Sequence, residues 1–147
     1  MNLLRLSLVI FLMFIAGFLS GFLFTSLEPT YTERSSPSDV LNSTDVVIFN
    51  NMACIVMGNL TKAILSGTNS MDPVLDEEAV VLRYKPKNIS EINIGDIISF
   101  KYHNDTLIHR VIDIKDNKIL TKGDNNKWND GWIEFDKVVG KMVAVIY

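Results

Sequence analysis

Hydrophobic and polar positions change rhythm twice along this chain. Residues 6–27, LSLVIFLMFIAGFLSGFLFTSL, form an uncharged run of 22. As a helix rising about 1.5 Å per residue, the run covers roughly 33 Å, enough for a hydrocarbon layer of about 30 Å. It is longer than the apolar region of a usual secretory signal, and no small-x-small cleavage site follows it. A retained transmembrane anchor over 1–27 is therefore expected, not a cleaved leader. Residues 28–44, EPTYTERSSPSDVLNST, hold two prolines, four serines and few apolar side chains, a composition that reads as a solvated stalk. From residue 45 onward, short apolar runs alternate with turn signals and no long helical period appears. Strands are predicted over 45–50, 53–57, 62–65, 78–84, 96–102, 106–115, 118–122, 132–135 and 138–146. Asn50-Asn51, His103-Asn104-Asp105 and Asp116-Asn117 stand where hairpins would turn. Many short strands at near-even spacing predict an all-β domain over 45–147, carried by a single N-terminal transmembrane helix.

Charge gives the anchor a direction. Arg5 is the only charged side chain before Glu28. Together with the α-amino group it favours a cytoplasmic N-terminus, which puts the β domain outside the cell membrane. Sequons at Asn42, Asn59, Asn88 and Asn104 all lie beyond the anchor and suit that side. The chain carries a formal net charge of −3 and no basic cluster, which excludes nucleic acid as the main partner. Cys54 is the only cysteine, so no internal disulfide forms; its neighbours Ala53, Ile55 and Val56 predict a buried, inert thiol.

The candidate chemistry is sparse. There is no HExxH, CxxC, glycine-rich phosphate loop or G-x-S-x-G elbow, and no cofactor is expected. In the strand TLIHRVIDIK, alternation puts Leu107, His109 and Val111 on one face, with Ile108, Arg110, Ile112 and Ile114 opposite. Alone, His109 reads as a satisfied core or edge histidine rather than a base, and His103 reads as a turn residue. The segment KGDNNKWNDGW gathers Asp124, Asp130, Trp128 and Trp132, and GTNSMDPVL presents Ser70 shortly before Pro73, whose ring fixes φ. A serine hydroxyl needs a base to become a nucleophile. An imidazole oriented by a carboxylate supplies one, worth on the order of 10²–10⁴ in rate. The other chemistry on offer groups His103, His109, Asp124 and Asp130 as a metal-hydrolase site, although their spacing fits no standard ligand pattern.

Four segments occur in order: Asn69-Ser70-Met71-Asp72-Pro73, Ile94-Gly95-Asp96-Ile97-Ile98-Ser99-Phe100, Ile108-His109-Arg110-Val111 and Lys122-Gly123-Asp124-Asn125-Asn126. Together they resemble the type I signal peptidases, in the branch shared by archaea and the endoplasmic reticulum. The resemblance covers residues from about 66 to 147, over half the chain. It implies a membrane-bound serine endopeptidase that removes N-terminal signal peptides from exported preproteins. The implied partners are those preproteins, the lipid bilayer and the protein translocation machinery. It further implies that Ser70 is the nucleophile and that His109 is the general base, where bacterial members use a lysine. Asp130 matches the triad acid, and Asp124 a second acidic position. Thr68 matches a hydroxyl residue that completes an oxyanion hole with the Ser70 amide. Substrate would bind as an extended strand beside the protein's own strands. Ser70 lies 42 residues past the anchor, farther than in many members, and strands at 45–57 intervene. That insert motivates a second expectation, an inactive membrane-tethered module that binds peptides without cutting them.

Overall fold

The computed structural model describes residues 34–147, together with Phe11 and Met13; the anchor expected over 1–27 and the start of the stalk lie outside the described residues. Among the described residues, no helix is long and apolar enough to cross a membrane. Each predicted strand is present: β1 Val46–Phe49, β2 Met52–Ile55, β3 Leu60–Ile64, β4 Val80–Tyr84, β5 Ile97–Tyr102, β6 Asp105–Lys115, β7 Lys118–Lys122, β8 Trp132–Glu134 and β9 Val138–Ile146. From residue 34 onward, helical structure is limited to short 3₁₀ turns, so the domain is all-β as its pattern implies. Asn50, His103, Asp116 and Asn117 take φ of 51°, 52°, 49° and 60°, the left-handed values that tight hairpins require and that Asn and Asp tolerate.

β3 to β9 form one seven-stranded antiparallel sheet in the order β3-β4-β9-β5-β6-β7-β8. Both faces are covered. Adjacent residues of β5 point to opposite sides, and Ile98 enters a core with Phe100, Val111, Ile119 and Val138, whereas Ile97 enters one with Met71, Leu75 and Val81. The second core is closed by the long loop between β3 and β4, whose Met71 and Leu75 are buried. Packing the Ser70 loop into the core in this way fixes its height over the sheet.

Three sequence expectations change. Alternation along β6 fails beyond Val111, where the register against β7 slips by one residue. Ile112 bulges outward and is exposed, and Ile114 returns to pack against the same core as Val111. Cys54 is exposed, not buried. It lies on the β1–β2 hairpin, a separate two-stranded ribbon with no second layer to cover it among the described residues. The stalk, expected to be solvated throughout, is tied down over residues 34–38. Ser38 donates its N–H and its hydroxyl to the buried Asp96 at 2.7 and 2.8 Å, and Ser35 O accepts from Arg110 at 3.2 Å. Buried charges on the sheet need more polar partners than the sheet supplies, and this segment's backbone provides them.

Candidate active site

The β3–β4 loop turns sharply around Ser70. Asn69 takes φ 54°, and Val74 and Leu75 donate to Met71 O at 2.9 and 3.0 Å, closing a tight turn directly after the serine. Burial of Met71 on one side leaves the Ser70 hydroxyl facing the other. The segment after β7 clamps this turn from outside. Asn125 N–H donates to Ser70 O at 2.9 Å, and the Asn125 side-chain amide donates to Asn69 O at 3.0 Å. Gly123 is required there, because a Cβ would stand 2.6 Å from Ser70 O.

His109 projects from β6 with only 4 % of its surface exposed, its ring edge-on to Phe100 at 6.3 Å. Its Nε2 lies 3.1 Å from Ser70 Oγ and its Nδ1 lies 2.8 Å from Asp130 Oδ2. An ionised carboxylate only accepts, so Nδ1 carries the proton and Nε2 is left as the acceptor for the serine hydroxyl. Asp130 is itself held by β7, since the Thr121 hydroxyl donates to Oδ2 at 2.8 Å and Asp130 N–H donates to Thr121 O at 2.9 Å. At the other end of the row, the Thr68 hydroxyl donates to Ser70 Oγ at 3.1 Å. Thr68, Ser70, His109 and Asp130 thus form one continuous hydrogen-bonded series.

Asp124 is not part of it. β6 alternation sends Arg110 to the side away from His109, and Arg110 binds Asp124 in a two-pronged pair, Nε to Oδ1 at 2.8 Å and Nη2 to Oδ2 at 2.7 Å. Arg110 Nη1 also donates to Gly95 O at 2.8 Å, and Arg34 reaches both the backbone and the side chain of Asp124. A second buried pair, Lys141 with Asp96 at 2.7 Å, lies close by; both ions contact Ser38. His103 sits in the β5–β6 turn against Tyr102. The four residues of the metal-hydrolase grouping are therefore split: His109 with Asp130, Asp124 with arginines, His103 in a turn.

Thr121, Asn125 and Arg110 escaped sequence reasoning as site residues. Only Arg110 left a signal, a charge within an apolar alternating strand.

Beside the series lies a cavity of about 220 Å³, lined among others by Ser70, Thr68, His109, Ile108, Ile64 and Leu65. Ile64 belongs to β3, which among the described residues pairs only with β4 and forms one edge of the main sheet. An edge strand beside a nucleophile can take up an extended peptide through main-chain hydrogen bonds. No protein-family model matches the sequence, and no curated protein matches it.

Proposed function

We propose that this chain is a membrane-anchored serine endopeptidase of the signal-peptidase type, which removes N-terminal signal peptides from preproteins outside the membrane. The observation that carries the proposal is the row Thr68–Ser70–His109–Asp130, with contacts of 2.8 to 3.1 Å. In the proposed reaction Ser70 Oγ attacks the scissile carbonyl while His109 Nε2 takes its proton. Asp130 stabilises the imidazolium, and the Ser70 N–H with the Thr68 hydroxyl receives the oxyanion. His109 then passes the proton to the leaving amine. Water, activated by the same imidazole, hydrolyses the acyl-enzyme. The order of the four sequence segments, the edge strand and the apolar run at 6–27 support signal peptides as the substrate.

The test incubates a signal-bearing precursor with the full chain and with Ser70→Ala in detergent micelles. Cleavage by the first alone is expected, unaffected by a chelator. Equal cleavage by both ends the assignment of Ser70. Binding of the precursor by the full chain without turnover would move the reading to a tethered peptide-binding module.

A further inference from the structure

The cations packed into the sheet, Arg110 and Lys141 buried and Arg83 half-buried, differ in one respect. Arg110 and Lys141 each have a carboxylate at 2.7 Å. Arg83 on β4 has none among the described residues. Its side chain lies across Gly140 of β9, where a Cβ would stand 2.8 Å from Arg83 Cδ. At the far side its Nη1 donates to Ser99 Oγ on β5 at 2.7 Å, and Ser99, 1 % exposed, donates onward to Gly140 O at 3.2 Å. That is the guanidinium's single hydrogen bond among the described residues, and its Nε is buried without a partner. A glycine that makes room and a serine that holds one end amount to a built seat for a cation. Arg83 and Ser99 line the same cavity as Ser70 and His109, and its other walls include Ala63, Leu65, Leu107 and Ile108. Among the described residues no acidic side chain lines that cavity.

Arg83 is half-buried and its Nε is sealed from water, and a polar group so placed is normally paired, because leaving it unpaired is costly. Here the missing partner has a place to come from, since the cavity opens onto the nucleophile. We propose that Arg83 is a specificity-determining residue that makes this cavity favour a side chain bearing an acceptor oxygen, with serine and aspartate as its probes, near the bond that Ser70 attacks. The guanidinium, set among the hydroxyls of Ser66, Ser99 and Thr106, ranks oxygen-bearing side chains above alanine. The inference deepens the peptidase reading and rests on it for cleavage, but peptide binding tests it separately.

The experiment uses an extended precursor-derived peptide in which each of the three residues before the cleaved bond is in turn Ala, Ser or Asp. Relative kcat/KM is measured for the full chain, Arg83→Met and Arg83→Lys. Relative affinity is measured by fluorescence anisotropy on Ser70→Ala with and without Arg83→Met. At one position, Ser and Asp should outrank Ala by about tenfold, a size typical of a hydrogen bond to a charged group. Arg83→Met should abolish that ratio and Arg83→Lys should keep part of it. Unchanged ratios in Arg83→Met, or no preference over Ala in the full chain, overturn the proposal. If no peptide is cleaved, the peptidase reading fails, and the affinity ratios alone decide the role of Arg83. If Arg83→Met does not fold, as judged by circular dichroism, the Ser:Ala and Asp:Ala ratios of Arg83→Lys decide, and ratios equal to those of the full chain count against it.

Discussion

Asp124 and Asp130 lie six residues apart in one loop, yet the structure assigns them separable consequences, which neutralising each in turn would expose. Asp130→Asn keeps the volume and one acceptor but adds an amide N–H₂ that can point at His109 Nδ1. The imidazole then loses its reason to hold its proton on Nδ1 (2.8 Å from the carboxylate), and Nε2 no longer faces Ser70 as an acceptor. Losing that arrangement in a Ser-His-Asp site removes about 10⁴ in kcat. The fold should lose little, about 1–2 kcal/mol, because Asp130 keeps its backbone bond to Thr121. Asp124→Asn does the reverse. Its side chain is 3 % exposed and faces an Arg110 side chain that is 7 % exposed, so the change leaves a buried guanidinium without its counter-charge. Breaking such a pair is worth about 3–5 kcal/mol. At about 4 °C per kcal/mol for a domain of this size, Tm falls by roughly 12–20 °C. Turnover per folded molecule at low temperature should remain within about tenfold of the parent, because Asp124 touches neither Ser70 nor His109. The assay pairs a thermal melt of each variant with precursor cleavage normalised to folded protein. A stable but inactive Asp124→Asn, or an unstable but active Asp130→Asn, would falsify the division of roles.

Three further outcomes are expected. Thr68→Val removes a hydroxyl donor beside Ser70 and should lower kcat by about 10²–10³ with little change in KM, read from initial rates over a precursor concentration series. Lys141→Met leaves the fully buried Asp96 without its cation and should destabilise the fold by about 3–5 kcal/mol, read as a lower urea midpoint at unchanged slope. Tyr84 has its pKa raised above 10.0, first by burial and then by the negative charges of Glu91 and Asp96. The unfolded chain therefore releases that proton at lower pH than the folded one. The resulting stability is intact below about pH 10 and declines as pH rises through the folded value. Tyr84→Phe should flatten this alkaline loss in urea midpoints taken across that range.

The strands were legible because β pairing enforces a two-residue period and because Asn and Asp mark left-handed turns; Asn50 and Asp116 stand where both signals coincide. Ile112 was not legible, since a bulge inserts a residue without altering local composition. The positions of Ser70, His109 and Asp130 could be read from ordered segments, but not the distances between them. What separates Asp124 from Asp130 is long-range. Arg110 reaches Asp124 from a neighbouring strand, and Thr121 reaches Asp130, so neither partner lies in the loop that carries the acids. The docking of residues 34–38 was hidden for a related reason. A Ser- and Pro-rich composition describes what a segment buries, not which buried charges call on its backbone. Cys54 was misjudged because apolar neighbours predict burial only where a second layer exists to bury them.

The same ribbon has a practical meaning in water. Ile48 and Phe49 are 69 % and 62 % exposed, and the sequence between Val46 and Thr61 carries no charge to repel another copy. Among the described residues each of its two strands pairs only with the other, so both outer edges offer open backbone for a further strand. Any preparation of the domain in water will be limited by this hairpin, through edge-to-edge growth. Under oxidising conditions, Cys54 will lock such pairs into disulfide-linked dimers. Lysines placed at Ile48 and Phe49 are the direct route to a tractable domain, and they leave the Ser70 loop untouched.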